Sequence, residues 1–94
     1  MKRRLTLYSR RDCCLCDAMK SVLRAAAAQQ PFSLEEIDVD SSPELQEQYG
    51  DQVPVLFIDG RKAFKYRVTQ AALLRRLKAR RFTLLNKFRA GFSE

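Results

Sequence analysis

Tyr8-Ser9-Arg10-Arg11-Asp12-Cys13-Cys14-Leu15-Cys16 is the stretch whose reading decides the fold of this protein. Just before it, Arg4-Leu5-Thr6-Leu7-Tyr8-Ser9 alternates apolar and polar residues, the period-2 pattern of a strand. Arg10-Arg11-Asp12 reads as a polar turn, with Asp12 as an N-cap whose carboxylate accepts an orphan helical N–H. Beyond it, Leu15, Ala18 or Met19, Val22 and Ala26 recur at helical spacing, and the run Ala25–Ala28 has the highest helix propensity. The helix is expected from about Cys13 to Gln30, because the residue before Pro31 avoids helical geometry. Cys13 and Cys16 therefore form a C-x-x-C pair where a strand hands over to a helix.

Working outward, Phe32–Val39 reads as a second strand, with Phe32 and Leu34 on one face before the phase shifts to Ile37 and Val39. Ser42-Pro43 opens a short helix as N-cap and first helical residue, and Tyr49-Gly50 closes it. Val53-Pro54-Val55-Leu56-Phe57-Ile58 is a nearly continuous apolar run, as in a strand buried on both faces. Asp59-Gly60 is a hairpin turn leading to a partner strand near Lys62–Tyr66. Thr69 caps a last helix whose apolar face is Ala72 or Leu73, Leu74 and Leu77. The order β-α-β-α-β-β-α gives an α/β domain with a mixed four-stranded sheet flanked by helices. The domain is assigned to residues 1–81, with residues 82–94 as a basic C-terminal extension.

Composition narrows the function. The chain has 94 residues, which allow one domain, and no His. A Ser-His-Asp triad, a Cys-His pair or a His-containing metal site within one chain is thereby excluded. All three Cys lie within positions 13–16, which rules out a disulfide-stapled secreted scaffold. No apolar stretch approaches the roughly 20 residues of a membrane span. Met1-Lys2-Arg3-Arg4 is not followed by an apolar signal region, so a cytosolic (cytoplasmic) chain with reduced thiols is expected. The net charge of +7 is unevenly spread. Residues 1–24 carry 7 basic and 2 acidic side chains, residues 25–60 carry 8 acidic and no basic ones, and residues 61–94 carry 11 basic and 1 acidic.

The Cys placement has a chemical reason. A thiolate is the nucleophile in thiol exchange, and open N–H groups at a helix N-terminus stabilise it. A spacing of three lets the second thiol reach back along one turn to resolve a mixed disulfide. Cys13, in the exposed first turn, is expected to attack and Cys16 to resolve. Arg10 and Arg11 add positive charge nearby, and Asp12 opposes it. Cys14 is a possible extra thiol, turned to solvent, that can compete as nucleophile or be a tolerated small residue. A structural zinc half-site and an iron–sulfur cluster bridged between two subunits are the competing readings of the cluster. Proline at the start of a buried strand removes a ladder donor. A cis peptide before Pro54 leaves the Val53 backbone open to an incoming chain; a plain trans proline is the alternative.

Tyr8-Ser9-Arg10-x-x-Cys13-x-x-Cys16, then Val53-Pro54 before an apolar strand, then Asp59-Gly60, resembles a glutaredoxin on the thioredoxin fold, within the branch of small glutaredoxin-like proteins. The resemblance spans about residues 4–80. It implies a thioredoxin-like fold, Cys13 as nucleophile, Cys16 as resolving thiol, and Pro54 as a cis-proline facing the Cys pair. It also implies that Val53 presents backbone to a peptide or glutathione, and that Arg10 helps hold the thiolate and a glutathione carboxylate. Two departures stand out. Cys14-Leu15 replaces the usual Pro-Tyr between the cysteines, and Phe64–Thr69 lacks the Gly pair that holds the γ-glutamyl end of glutathione. Lys65 and Arg67 are left to meet a carboxylate by side chain.

Phe82, Leu85, Phe88 and Phe92 recur at roughly helical spacing among Arg81, Lys87 and Arg89. This basic segment can lie on an anionic membrane, an acidic partner or nucleic acid, or pack its Phe face on the domain or in a homodimer. The leading expectation is a thiol–disulfide oxidoreductase acting on a disulfide-bearing protein or a glutathione mixed disulfide. It requires no cofactor, with glutathione as a candidate co-substrate. A non-enzymatic binding module using the basic face, and a cluster or metal carrier through Cys13, are the alternatives.

Overall fold

The computed structural model describes residues 3–78. The chain forms β1 (Arg3–Ser9), α1 (Cys14–Gln29), β2 (Phe32–Asp38), a 3-10 turn (Val39–Ser41), α2 (Pro43–Tyr49), β3 (Val55–Ile58), β4 (Arg61–Lys65) and α3 (Gln70–Lys78). The strands make one mixed sheet of order β2-β1-β3-β4. β1 runs parallel to β2 and antiparallel to β3, and β3 runs antiparallel to β4. A parallel pair needs a crossover, and α1 supplies it. The antiparallel β3–β4 pair needs only a turn: Asp59 and Gly60 have φ of 50° and 86°, positive at both central positions as a type I′ hairpin requires. The expected order of elements and the thioredoxin-like α/β architecture are what the structure contains. The boundary proposed at residue 81 and the 82–94 extension lie outside the described residues. No described helix is long and apolar enough to cross a membrane.

Alternation along the strands assigns the faces. Leu5 and Leu7 of β1 and Leu56 and Ile58 of β3 point to one side. There they pack with Met19, Leu23 and Ala26 of α1 and Leu73 and Leu77 of α3. Tyr8 and Phe57 point to the other side and meet Tyr49 of α2. The two tyrosines stack with ring centroids 4.4 Å apart, and Phe57 meets them edge-on at 5.5 and 6.0 Å.

Local sequence explains the ends of the elements. Ser42 caps α2 by accepting the Leu45 N–H at 3.1 Å, and Thr69 caps α3 by accepting the Ala72 N–H at 3.1 Å. Gly50 closes α2 with a right-handed φ of −54°, so its role is space. A Cβ there would collide with the Gln46 carbonyl and sit 3.3 Å from the Arg10 guanidinium. Arg3 ties three elements together: it pairs with Asp59 in the hairpin and donates to the Leu77 carbonyl of α3 at 2.7 Å.

Three sequence expectations shift. The buried face of α1 is Cys16, Met19, Leu23 and Ala26; Met19 and Ala26 are where the spacing puts them, while Leu15 and Val22 are half-buried on the flank. Turning Cys16 to the sheet rotates the helix by one position. β2 is an edge strand bonded only to β1, so Leu34 is 45% exposed despite its alternating pattern. β3 begins at Val55, leaving Val53 and Pro54 ahead of the ladder.

Candidate functional site

The sheet register builds the site. Tyr8 pairs with Val55, and Val55 with Lys65. Three chain ends therefore lie side by side: the exit of β1 into the Cys turn, the entry of β3 at Val53–Pro54, and the exit of β4 at Tyr66. The Tyr66 N–H donates to the Pro54 carbonyl at 2.8 Å, fastening the last two. The Val53–Pro54 peptide is cis. Among the described residues, the Val53 amide and carbonyl take no backbone partner.

Asp12 was the expected N-cap, and the structure corrects this. Asp12 carries the turn, with a left-handed φ of 54° that Asp tolerates better than most residues. The cap is Cys13, in an extended conformation, and its Sγ accepts the Cys16 N–H at 3.1 Å. The Cys13 carbonyl accepts the first helical N–H, from Asp17, at 3.0 Å. Cys13 and Cys16 form a disulfide with their Cα atoms 5.2 Å apart. Cys13 is half-buried and Cys16 fully buried, while Cys14 is an exposed free thiol. An accessible sulfur thus stands one turn ahead of an enclosed one, and the first receives an amide N–H at the helix mouth. Such an N–H stabilises charge on sulfur.

The predicted cations separate into two groups. Arg10 donates to both oxygens of Asp40, at 3.2 Å each, and to the Gly50 carbonyl at 3.3 Å. Arg11 is exposed and its charge also acts on Asp40. The Asp40 carboxyl is held below the usual carboxylate range, chiefly by the Arg10 hydrogen bond. Arg10 is therefore engaged with the 3-10 turn and the end of α2, while Arg11 makes no ion pair among the described residues. Lys65 and Arg67 are exposed beside Tyr66, with the Lys65 ammonium 5.3 Å from its ring centroid.

Beneath the Cys turn lies a polar anchor. Ser9 is only 3% exposed, and its hydroxyl donates to Glu36 Oε2 at 2.8 Å. Lys20, one turn beyond Cys16, reaches the same oxygen at 2.7 Å. The Glu36 carboxyl is lowered first by Lys20, then by Ser9. This joins α1 to β1 and β2 at the level of the cysteines.

Sequence reasoning missed two residues. The helical spacing places Leu15 only on the apolar face of α1, and the pattern places Tyr66 only at the end of the last strand and in a stretch lacking a Gly pair. In the structure they wall a cavity of about 90 Å³. Leu15, Ala18 and Val22 line it from α1, and Tyr66, Arg67 and Val68 from the β4–α3 loop. Tyr66 holds a left-handed φ of 70° and donates its hydroxyl to the Asp51 carbonyl at 3.1 Å. Tyr66 thus contributes to the wall that faces the α1 residues across the cavity. Its position in that loop was the available signal.

Comparisons with known proteins agree with this fold. A family profile described as Glutaredoxin-like domain (DUF836) matches residues 4–78. The solution structure of a Nitrosomonas europaea protein is similar at 31% identity and a TM-score of 0.72, covering 83% of this chain and 94% of that one. An X-ray structure of an X. campestris protein is 34% identical with a TM-score of 0.69, covering 80% and 96%. Desulfothioredoxin from Desulfovibrio vulgaris Hildenborough, in its reduced form, is 26% identical with a TM-score of 0.61, covering 84% and 81%. No curated protein matches the chain.

Proposed function

The chain belongs to the glutaredoxin-like domain family, and from that premise we propose that it is a dithiol–disulfide oxidoreductase. The observation that carries the reading is the Cys13–Cys16 pair at the mouth of α1, the outer sulfur accessible and bonded by the Cys16 N–H, the inner one buried.

In the reduced protein the Cys13 thiolate attacks one sulfur of a substrate disulfide. The Cys13–substrate bond forms as the substrate S–S bond breaks, and the departing sulfur leaves as a thiolate that takes up a proton. Cys16 then loses its proton and attacks the Cys13 sulfur, releasing the second substrate thiol. The substrate disulfide gains two electrons, and the protein is left with the Cys13–Cys16 disulfide. A thiol reductant reverses the sequence; glutathione is a co-substrate of the right chemistry, and no further cofactor is required. The substrates are disulfide-bearing proteins or glutathione mixed disulfides. Pro54 and the open Val53 backbone border the incoming chain, and Lys65 and Arg67 meet its carboxylates. Arg10 and Arg11 act as part of the general field.

The test is a mass measurement after the reduced protein meets oxidised glutathione. The wild type is expected to end with an internal disulfide, and Cys16→Ser to stop at one glutathionyl group on Cys13. Unchanged turnover of a small glutathionylated substrate by Cys13→Ser would refute the reading.

A further inference from the structure

Resting on that reading, we infer that the substrate is recognised as an acidic polypeptide, by an aliphatic side chain placed in the Leu15–Tyr66 cavity and a carboxylate held by Arg67 and Lys65. Leu15, which lies between Cys13 and Cys16, is one of the walls of this cavity. Its far wall is fixed to the substrate-bordering loop by the Tyr66–Pro54 hydrogen bond. Two of its walls, Leu15 and Tyr66, thus adjoin the residues that border a chain joined to Cys13.

Size selects the guest. A cavity of about 90 Å³ is smaller than the ~150 Å³ apolar cavity that admits benzene, and larger than the ~30 Å³ share of a water. A Leu, Ile or Val side chain suits a hollow of this size. Leu15, Ala18, Met19, Val22 and Val68 make the lining chiefly hydrocarbon, so an apolar guest is favoured over one whose polar groups must give up water. Glutathione, which has no hydrocarbon side chain, leaves the cavity unfilled.

Charge selects the surroundings. Residues 61–78 contain seven basic side chains and no acidic one. None of the seven lies within ion-pair distance of a carboxylate among the described residues. Arg67 is both a wall of the cavity and exposed, so one residue joins the apolar pocket to this cationic strip. A nucleic acid answers to the charge alone. An Asp- or Glu-bearing segment with an aliphatic residue near its cysteine answers to both.

The probes are short synthetic peptides with one Cys, supplied as symmetric disulfide dimers, alongside oxidised glutathione. One peptide carries Leu and Glu near the Cys, a second has Ser for Leu, and a third has Lys for Glu. The reduced full chain is mixed with each, and the single-turnover formation of its Cys13–Cys16 disulfide is followed by quenching and mass. The Leu/Glu peptide is expected to oxidise the protein about tenfold faster than the Ser peptide, the lower end of what one apolar side chain in a fitted pocket supplies. Arg67→Glu is expected to invert the preference between the Glu and Lys peptides. Arg24→Glu, an equal charge change on the exposed side of α1, should preserve the order. Equal rates for all peptides, or glutathione disulfide matching the Leu/Glu peptide, overturns the inference while leaving the oxidoreductase intact. No oxidation by any disulfide overturns both.

Discussion

Tyr66 holds a backbone conformation that glycine adopts freely and a bulky residue only at roughly 1–3 kcal/mol. Its φ of 70° persists because the N–H is bonded to Pro54, the hydroxyl to Asp51, and the ring lies by Lys65. Tyr66→Gly relieves the strain while losing the ring, so its stability is expected within about 1 kcal/mol of wild type. Tyr66→Val loses the same ring and keeps the strain, at about 2 kcal/mol or more. Urea midpoints decide; equal losses in the two variants would refute a role for φ. Glu36 gives a pH prediction. Its folded carboxyl is lowered by Lys20 first and Ser9 second. A lowered carboxyl contributes stability that is present above the unfolded value, about 4.3, and lost as pH falls through the folded one. Glu36→Gln should cost up to about 1 kcal/mol at neutral pH, as partly exposed pairs do, and little once the wild-type carboxyl is protonated. A loss that is constant from neutral to acid pH would contradict it.

At the scale of elements, α1 shows what the sequence could and could not tell. Its existence, its start at the cysteines and its end before Pro31 were legible from spacing, the alanine run and proline geometry. Its rotation was not, because Leu15-Val22 and Met19-Leu23-Ala26 are both apolar lines at helical spacing. Which line faces the sheet depends on how Cys16 packs. The structure makes the second the core. Leu23→Ala is therefore expected to cost about 2–5 kcal/mol, and Val22→Ala distinctly less, since it faces the small cavity. Equal costs would show the rotation to be wrong. The same limit applies elsewhere. Asp59-Gly60 and the Ser42 and Thr69 caps were readable because each acts within four residues. The Arg10–Asp40 pair spans 30 residues, and the Tyr66–Pro54 bond joins two loops, so neither leaves a local pattern. The Cys pair was fully visible, and the apolar wall beside it was not.

Across the whole molecule the three blocks of charge become a spatial arrangement. Every described ion pair joins a cation of residues 1–24 to a carboxylate of residues 25–60: Arg3 to Asp59, Arg10 to Asp40, and Lys20 to Glu36. Folding thus sets the first block against the second and leaves the cations of residues 61–78 without carboxylate partners among the described residues. That division separates two effects of salt. Surface pairs contribute at most about 1 kcal/mol each, so the unfolding midpoint should move little as salt rises. An acidic partner approaching the unpaired strip should feel the salt strongly, because the Debye length falls to about 8 Å at physiological ionic strength from about 30 Å at 0.01 M. Oxidation of the reduced protein by the Leu/Glu peptide disulfide is therefore expected to slow several-fold over this range. The rate with an uncharged analogue of the same peptide should stay nearly level. If the uncharged peptide slows as much, or if the urea midpoint falls in step with the rate, salt acts on the fold or the thiol chemistry, and the cationic strip does not steer the substrate.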